Sequence, residues 1–110
     1  MMNALDILNA WNTTLSTNEE LALGQHLSES FTFTMLGQNT MTQNAQEHLN
    51  WCTSDESPQI SDFHVVYDDG EVCSGTHVAK MADGQTFDVM FFGEYEEKLE
   101  RWHVLLASQS

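Results

Sequence analysis

Histidine, aspartate and methionine side chains meet on one face of the sheet that the sequence predicts. The predicted strand alternation places His77, Met90 and His103 in line across three neighbouring strands. Asp62 lies opposite His77 in this register, and Asp88 lies diagonal to it. His77 and His103 are two strands apart, about 9.5 Å at the usual strand spacing, so one ion cannot bind both directly. We therefore expect no metal site, and these residue types favour a subunit interface with buried histidines.

The two cysteines offer no evident covalent chemistry. Cys52 and Cys73 lack the spacing of metal ligands and need not pair with each other. Neither has an evident partner that would activate it as a nucleophile. The chain has no glycine-rich phosphate loop, and the segment YDDGE is explained as a hairpin turn without a bound cation. The sequence predicts no cofactor.

Charge and length exclude several classes of partner. Seventeen acidic residues against three basic ones give a formal net charge of -14, which disfavours nucleic acid and anionic membrane surfaces. The 110 residues contain no linker or repeat, so residues 1–110 are interpreted as a single domain. The first residues lack the basic region of a signal peptide, and no apolar run approaches about 18 residues. We expect a cytoplasmic protein without membrane contact.

Hydrophobic spacing predicts helices in the first half of the chain and strands in the second. A first helix has one apolar face with Ile7, Leu8 and Trp11, and a second follows the capping signal STNEE and carries Leu21 to Leu27. A strand over 31–35 and a third helix over 42–52 come next. Four further strands are predicted over 60–67, 71–81, 86–95 and 98–107. This pattern indicates an α+β fold with an antiparallel meander.

The Asp-Gly pairs at 69–70 and 83–84 predict two-residue hairpins, and these define which side chains share a face of the sheet. A further turn centred on Glu96-Glu97 places Phe91 opposite Trp102. On the core side, aromatic side chains and the hydroxyl groups of Ser74 and Thr76 are predicted to line a hydrophobic ligand pocket. Tyr67 is a candidate general acid or hydrogen-bond donor in this pocket. The alternative is that these side chains simply fill the core. The predicted pocket consists of Trp11, Phe33, Phe63, Tyr67, Ser74, Thr76, Phe91, Trp102 and Val104.

The opposite face is too apolar for a surface that only contacts water. Because the helices are needed on the core side, a second copy of the chain is the economical cover, and we expect a homodimer. Protonation of His77 or His103 would then change association. The predicted dimer face consists of His64, His77, Met90, Phe92, Arg101, His103 and Leu105.

The order helix, helix, strand, helix and four-strand meander resembles the NTF2-like superfamily, and within it the SnoaL-like group of ketosteroid-isomerase-like and polyketide-cyclase-like proteins. Gly37 before the third helix fits this resemblance, and the closing strand KLERWHVLL is similar to the frequent family pattern G-K-I-x-x-W. The resemblance implies a cone, in which a curved antiparallel sheet wraps a long first helix. It also implies an apolar cavity that is open at one end.

The catalytic carboxylates that the resemblance implies are missing from this chain. Ketosteroid isomerases place a carboxylate base near the end of the first strand, where this sequence has Thr34. Enzymes similar to limonene epoxide hydrolase have Trp-x-Asp in the closing strand, and the matching positions here are Trp102 and Val104. SnoaL-type cyclases and scytalone-dehydratase-like enzymes place histidine in the pocket, and His26 is the remaining candidate.

Two functions stay open on this basis. The first is an apolar pocket that binds a small hydrophobic molecule without catalysis. The second is a SnoaL-like isomerase, cyclase, dehydratase or hydrolase acting on such a molecule, with Tyr67, His26 or a polar group assigned to the wrong face as its catalytic residue. A stand-alone interaction module is a third alternative.

Overall fold

The structure of the chain, a computed structural model, describes residues 3–37 and 40–108. The elements are α1 (Ala4–Thr17), α2 (Glu20–Gly24), β1 (Leu27–Leu36), β2 (Met41–Asn44), α3 (Ala45–Cys52), β3 (Gln59–Asp68), β4 (Val72–Lys80), β5 (Thr86–Tyr95) and β6 (Leu99–Ser108). The strands form one sheet in the order β2-β1-β6-β5-β4-β3, in which β1 and β6 are parallel and the other neighbours antiparallel. The predicted α+β fold is confirmed. In these two ranges, no helix combines the length and the apolar character needed to cross a membrane.

Helix α1 supplies the apolar layer that packs on the sheet. The Asn3 side chain caps its first turn by accepting a hydrogen bond from the Asp6 amide at 2.9 Å. Helical spacing then aligns Ala4, Ile7, Leu8 and Trp11 on one buried stripe. The face of the sheet that meets this stripe is called the inner face below, and the opposite one the outer face.

Helix α2 is shorter than predicted because the chain turns into a strand earlier. Thr14 of α1 donates to the Glu19 carbonyl at 2.7 Å and accepts from the Leu23 amide at 3.0 Å, which holds α2 against α1. The predicted helix through Leu27 is wrong, since Leu27 already pairs with Leu99 at the start of the parallel β1–β6 ladder.

The third helix begins later than predicted. Residues 41–44 form the edge strand β2, which pairs antiparallel with β1. Asn44 caps α3 in a reciprocal capping box with Glu47, with both hydrogen bonds at 2.9 Å. The spacing Asn-x-x-Glu is a start signal that was available in the sequence, and it places the helix start after Asn44.

The predicted inner face is confirmed for β5 and β6 but wrong for β4. Val89, Phe91 and Trp102 are buried on the inner face as predicted. In β4, by contrast, the buried positions are Cys73, Gly75, His77 and Ala79. Ser74, Thr76 and Val78 therefore lie on the outer face.

The hairpin between β4 and β5 explains this error. Its loop has three residues, with the Gly84 amide donating to the Met81 carbonyl at 3.0 Å and Gly84 in the left-handed region at φ 91°. Lys80 consequently pairs with Thr86, one residue away from the register of a two-residue turn at Asp83-Gly84. A slip of one residue moves every side chain of a strand to the other face.

The β5–β6 register is shifted by two residues, which leaves the faces unchanged. Phe91 pairs with Val104 instead of Trp102, and Trp102 lies opposite Gly93. Glycine is required there, since a Cβ at position 93 would lie 2.6 Å from the Trp102 ring. The close approach lets the Trp102 ring lie flat against the inner face.

Candidate functional site

An apolar cavity of about 50 Å³ lies between α1, α3 and the inner face of the sheet, and it is partly open to solvent. All three tryptophans of the chain contribute to it, together with Met35 from β1 and Met81 just after β4. Among the described residues of the lining, His77 has the one ionisable side chain. The lining consists of Leu8, Trp11, Leu15, Phe33, Met35, Trp51, Pro58, Ile60, His77, Ala79, Met81, Val89, Trp102, Val104 and Leu106.

Four of the nine residues that the sequence assigned to the pocket lie in this lining, namely Trp11, Phe33, Trp102 and Val104. Phe91 is buried beneath the cavity wall, where its ring stacks on Trp102 with 4.7 Å between ring centroids. Phe63 is half-buried and directs its ring edge at His77. The aromatic part of the predicted pocket therefore forms one packed cluster with the cavity beside it.

The predicted placement of the polar pocket residues is wrong. Ser74 and Thr76 lie on the outer face because of the one-residue slip of β4. Tyr67 is 53% exposed, and its hydroxyl donates to Asp69 at 2.9 Å. A register irregularity between Val65 and Tyr67 turns Tyr67 to the outer side of β3, where it pairs with Ser74.

His26 also lies away from the cavity. It is half-buried in the turn after α2, and its carbonyl accepts a hydrogen bond from the Leu99 amide at 2.7 Å. Its side chain does not line the cavity, so both catalytic candidates from the sequence, Tyr67 and His26, are outside it.

Sequence reasoning placed His77 on the wrong face of the sheet, since the structure buries it on the inner face. Its side chain is 8% exposed and lies between the rings of Phe63 and Phe91, each with a centroid separation of 6.1 Å. Nδ1 lies 3.2 Å from the Val78 carbonyl oxygen and donates to it. Burial lowers the pKa of His77 below its usual value, with the hydrogen bond to Val78 acting in the opposite direction. A neutral imidazole in an apolar cavity can accept a proton or a hydrogen bond.

A second buried histidine has a structural environment. His48 of α3 is completely buried, and its ring stacks on Phe33 with 4.2 Å between centroids. Its Nδ1 lies 2.9 Å from Gln43 Oε1 and its Nε2 lies 3.4 Å from Cys52 Sγ. Burial lowers the pKa of His48 to about 3.

The Cys52–His48 contact does not make a reactive thiol. Burial raises the pKa of Cys52 to about 12, against the opposing effect of a hydrogen bond from Trp11. A nucleophilic cysteine needs a lowered pKa and access to a substrate, and Cys52 is fully buried. Sequence reasoning missed this contact, although the spacing of four residues on a helix was a signal for it.

A tyrosine–carboxylate pair lies at the other end of the sheet. The buried Tyr95 donates a hydrogen bond to Asp68, which also accepts from the amides of Ala4 at 2.8 Å and Gly70 at 3.1 Å. Burial opposes ionisation of Asp68, but these hydrogen bonds outweigh it and hold its pKa below the usual range. Burial and the bond to Asp68 raise the pKa of Tyr95. This pair anchors the start of α1 and does not line the cavity.

The outer face carries an uncharged band across the middle of the sheet. Met90, Phe92 and Leu105 are exposed there, and His103 is half-buried beside Phe92. His77 is absent from this band because it lies on the inner face, so its assignment to the dimer face is wrong. The paired residues form two rows, His64–Thr76–Met90–Leu105–Leu36 and Ser74–Phe92–His103–Thr34.

The described residues do not form a metal site. Across 3–37 and 40–108, no three histidine, cysteine, aspartate or glutamate side chains are arranged to hold an ion. His77 and His103 lie on opposite faces of the sheet, so the sheet itself separates them.

Solved structures of other proteins share the fold of this chain. An NTF2-like protein of unknown function from Cytophaga hutchinsonii superimposes with a TM-score of 0.75 at 16% identity, over 94% of this chain and 88% of that one. A putative ketosteroid isomerase from Kribbella flavida gives a TM-score of 0.72 at 12% identity, over 94% and 77%. The chain has the NTF2-like fold. The fold expected from the sequence resemblance is thereby confirmed.

Other NTF2-like neighbours include an enzyme. The epoxide hydrolase/cyclase-like enzyme SalBIII, which has a role in pyran ring formation in the polyether salinomycin, gives a TM-score of 0.70 at 13% identity, over 94% of this chain and 89% of SalBIII. No family model and no curated protein sequence matches the chain. At these identities the likeness concerns the NTF2-like fold, and the chemistry must be argued from the cavity.

Proposed function

We propose that this NTF2-like domain binds a small hydrophobic molecule in the cavity between α1, α3 and the inner face. The observation that carries the proposal is the lining, in which every side chain except His77 is aliphatic, aromatic, methionine or proline. Ligand sites are typically apolar clefts with a few placed polar groups. The cavity has that composition.

The size of the cavity limits the ligand. An engineered protein cavity of about 150 Å³ holds benzene, whereas this one measures about 50 Å³. A ring compound therefore enters only if lining side chains move. Met35 and Met81 are suited to such movement because methionine is unbranched and adapts its shape easily. We infer a compact ligand rather than a steroid-sized one.

Among the described residues, no carboxylate lines the cavity, which disfavours the acid and base chemistry of ketosteroid isomerases and epoxide hydrolases. Thr34, at the position of the isomerase base, lies on the outer side of β1 with its hydroxyl 3.3 Å from that of Thr42. Val104 lies in the cavity where the hydrolase would have aspartate. One observation supports the alternative of an isomerase, cyclase, dehydratase or hydrolase: neutral His77 is placed to act as a general base.

Tryptophan fluorescence tests the binding proposal, because all three tryptophans line the cavity. Titration with a neutral probe such as toluene should change the emission of the folded protein and saturate. Val104→Phe should fill the cavity and abolish this saturable change, while the same substitution at the exposed Val66 should leave it intact. A thermal melt checks that both variants fold, and Ala79→Val serves as a milder filling variant. Unchanged toluene binding by folded filling variants would contradict the proposal.

We also propose that the outer face pairs with a second copy of the chain. The two rows of that face contain no carboxylate, lysine or arginine, although the chain carries 17 acidic residues. A band without these charged residues, in which Met90, Phe92 and Leu105 are exposed, is typical of an interface in a strongly charged protein.

Sedimentation distinguishes this dimer from a monomer. Leu105→Glu should shift the equilibrium to monomer, because two carboxylates would be buried near the centre of the interface. Leu21→Glu makes the same change on α2 at an exposed position away from the sheet and should leave the dimer intact. A wild-type monomer at high concentration would rule the interface out.

We place the protein in the cytoplasm. Cys52 and Cys73 are both free and buried, which suits a reducing compartment. The acidic charge of the chain supports solubility there.

A further inference from the structure

Among the described residues that line the cavity, His77 is the one whose side chain has a nitrogen or oxygen able to accept a hydrogen bond, and the atom is Nε2. The Val78 carbonyl accepts the proton of Nδ1, which leaves Nε2 unprotonated in the neutral ring. Within residues 3–37 and 40–108, no protein group is hydrogen-bonded to Nε2. Among the described residues, no fully buried side-chain nitrogen or oxygen lacks a partner, so Nε2 must retain access to open space. On the inner face, the open space beside His77 is the cavity.

We propose that Nε2 of His77 accepts a hydrogen bond from a hydroxyl group of the bound molecule, and that the cavity therefore selects compact apolar molecules with one hydroxyl, of which phenol is the simplest aromatic case. This inference rests on the proposed function, since it assigns the ligand class of the same cavity. A purely apolar ligand that fills the cavity would leave Nε2 buried without a donor, which costs free energy, whereas a hydroxyl-bearing ligand avoids that cost.

The surroundings of His77 exclude charged ligands. Phe63 faces it from β3, Phe91 and Val89 face it from β5, and α1 contributes Leu8 and Trp11 to the shared cavity. No other lining side chain in the described part of the chain is ionisable. A carboxylate has no proton to donate to Nε2, and an ammonium group would lose its hydration in an apolar space without a counter-charge. A neutral hydroxyl avoids both costs.

The geometry also accounts for the neutral state that the interaction requires. Burial among apolar groups lowers the pKa of His77, so Nε2 carries a lone pair at neutral pH. The other buried histidine cannot substitute for it, because both ring nitrogens of His48 already have partners in Gln43 and Cys52.

The test compares phenol with toluene, which has the same ring and a methyl group in place of the hydroxyl. Affinities of both probes for the wild type and for His77→Leu are measured by calorimetry. The ratio of phenol affinity to toluene affinity should fall about tenfold in His77→Leu, since one buried hydrogen bond is lost. Using the ratio removes the effect of the substitution on cavity volume. His77→Gln retains an acceptor oxygen and should recover part of the ratio.

Nitrogen NMR gives a second readout that a structural role for His77 would not move. The Nε2 resonance of His77 should shift on addition of phenol and stay in place with toluene, while the resonances of His48 remain unchanged in both cases. A wild type that binds neither probe overturns the proposed function. A wild type that binds toluene but keeps the same affinity ratio in His77→Leu overturns the hydroxyl preference alone.

Discussion

His48 and His77 are both buried histidines in aromatic surroundings, and they differ in their hydrogen bonds. His48 has a partner at each ring nitrogen, Gln43 at 2.9 Å and Cys52 at 3.4 Å. His77 has one partner, the carbonyl of its own neighbour Val78, and its other nitrogen lies at the cavity. Burial therefore does not by itself mark a functional histidine. The role that we propose for His77 depends instead on its other ring nitrogen, which lies beside the cavity.

The imidazole rings of His48 and His77 also differ in how tightly they are packed. His48 fills the space between α3, α1 and β1, where Phe33 stacks on one face and the edge-on ring of Trp11 has its centroid 4.9 Å away. His77 contacts Phe63 and Phe91 at longer centroid distances and has the cavity on its free side. His48 closes the core, and His77 borders an opening in it.

The largest expected effect is on stability when His48 is truncated. His48→Ala should lower the free energy of unfolding by about 3–5 kcal/mol, because it removes a fully packed ring and leaves Gln43 without its partner. Urea denaturation measures the loss. His77→Ala serves as the matched control and should lose less than half as much, since its ring already borders open space. Equal losses would contradict the distinction between the two histidines.

The second-largest expected effect is a loss of folding stability at acidic pH, and it comes mainly from His48. Its pKa is about 3 in the folded protein and near 6.5 in the unfolded chain, so the unfolded chain binds a proton more readily between these values. The stabilisation that comes from neutral His48 is present in full above pH 6.5 and is lost as the pH drops toward 3. Between pH 6.5 and 5 the loss due to His48 should be about 2 kcal/mol.

Urea unfolding at a series of pH values tests this loss. The His48→Phe variant has no titrating group at position 48. Its free energy of unfolding should therefore fall by about 2 kcal/mol less than that of the wild type between pH 6.5 and 5. His77 contributes in the same direction because burial lowers its pKa as well, so some slope should remain in His48→Phe. If the free energy of unfolding of His48→Phe depends on pH as steeply as that of the wild type, His48 is not the acid-sensitive group.

Most of the fold could be predicted from the sequence because its signals were local and repeated. The apolar stripe of α1 and the alternation along β5 and β6 each depend on many residues, so the faces of Phe91 and Trp102 were predicted correctly despite a two-residue error in pairing. The four residues of β2 were missed because a short polar edge strand next to a helix cap has no periodic pattern of its own.

The candidate site was less predictable because its polar group depends on one turn. An Asp-Gly pair occurs in two-residue and three-residue hairpins alike, and the two differ by one residue of register. That difference decides whether His77 lies in the cavity or on the outer surface, and it moves Ser74 and Thr76 in the opposite direction. The irregular pairing that turns Tyr67 outward likewise has no clear sequence signal.

The smallest expected effect is the loss of stability in His77→Leu. It is the most informative for the comparison of the two histidines, because a histidine that holds the core together would not tolerate replacement by leucine. His77→Leu should change the free energy of unfolding at pH 7 by less than about 1 kcal/mol, because leucine restores apolar contact while the only lost hydrogen bond is the local one to Val78. The same substitution at His48 should cost several times more, since Gln43 and Cys52 would both lose their partner. Urea denaturation of the two variants side by side gives the difference. If His77→Leu is as damaging as His48→Leu, the imidazole of His77 is a structural element of the inner face, and its position in the cavity has no bearing on ligands.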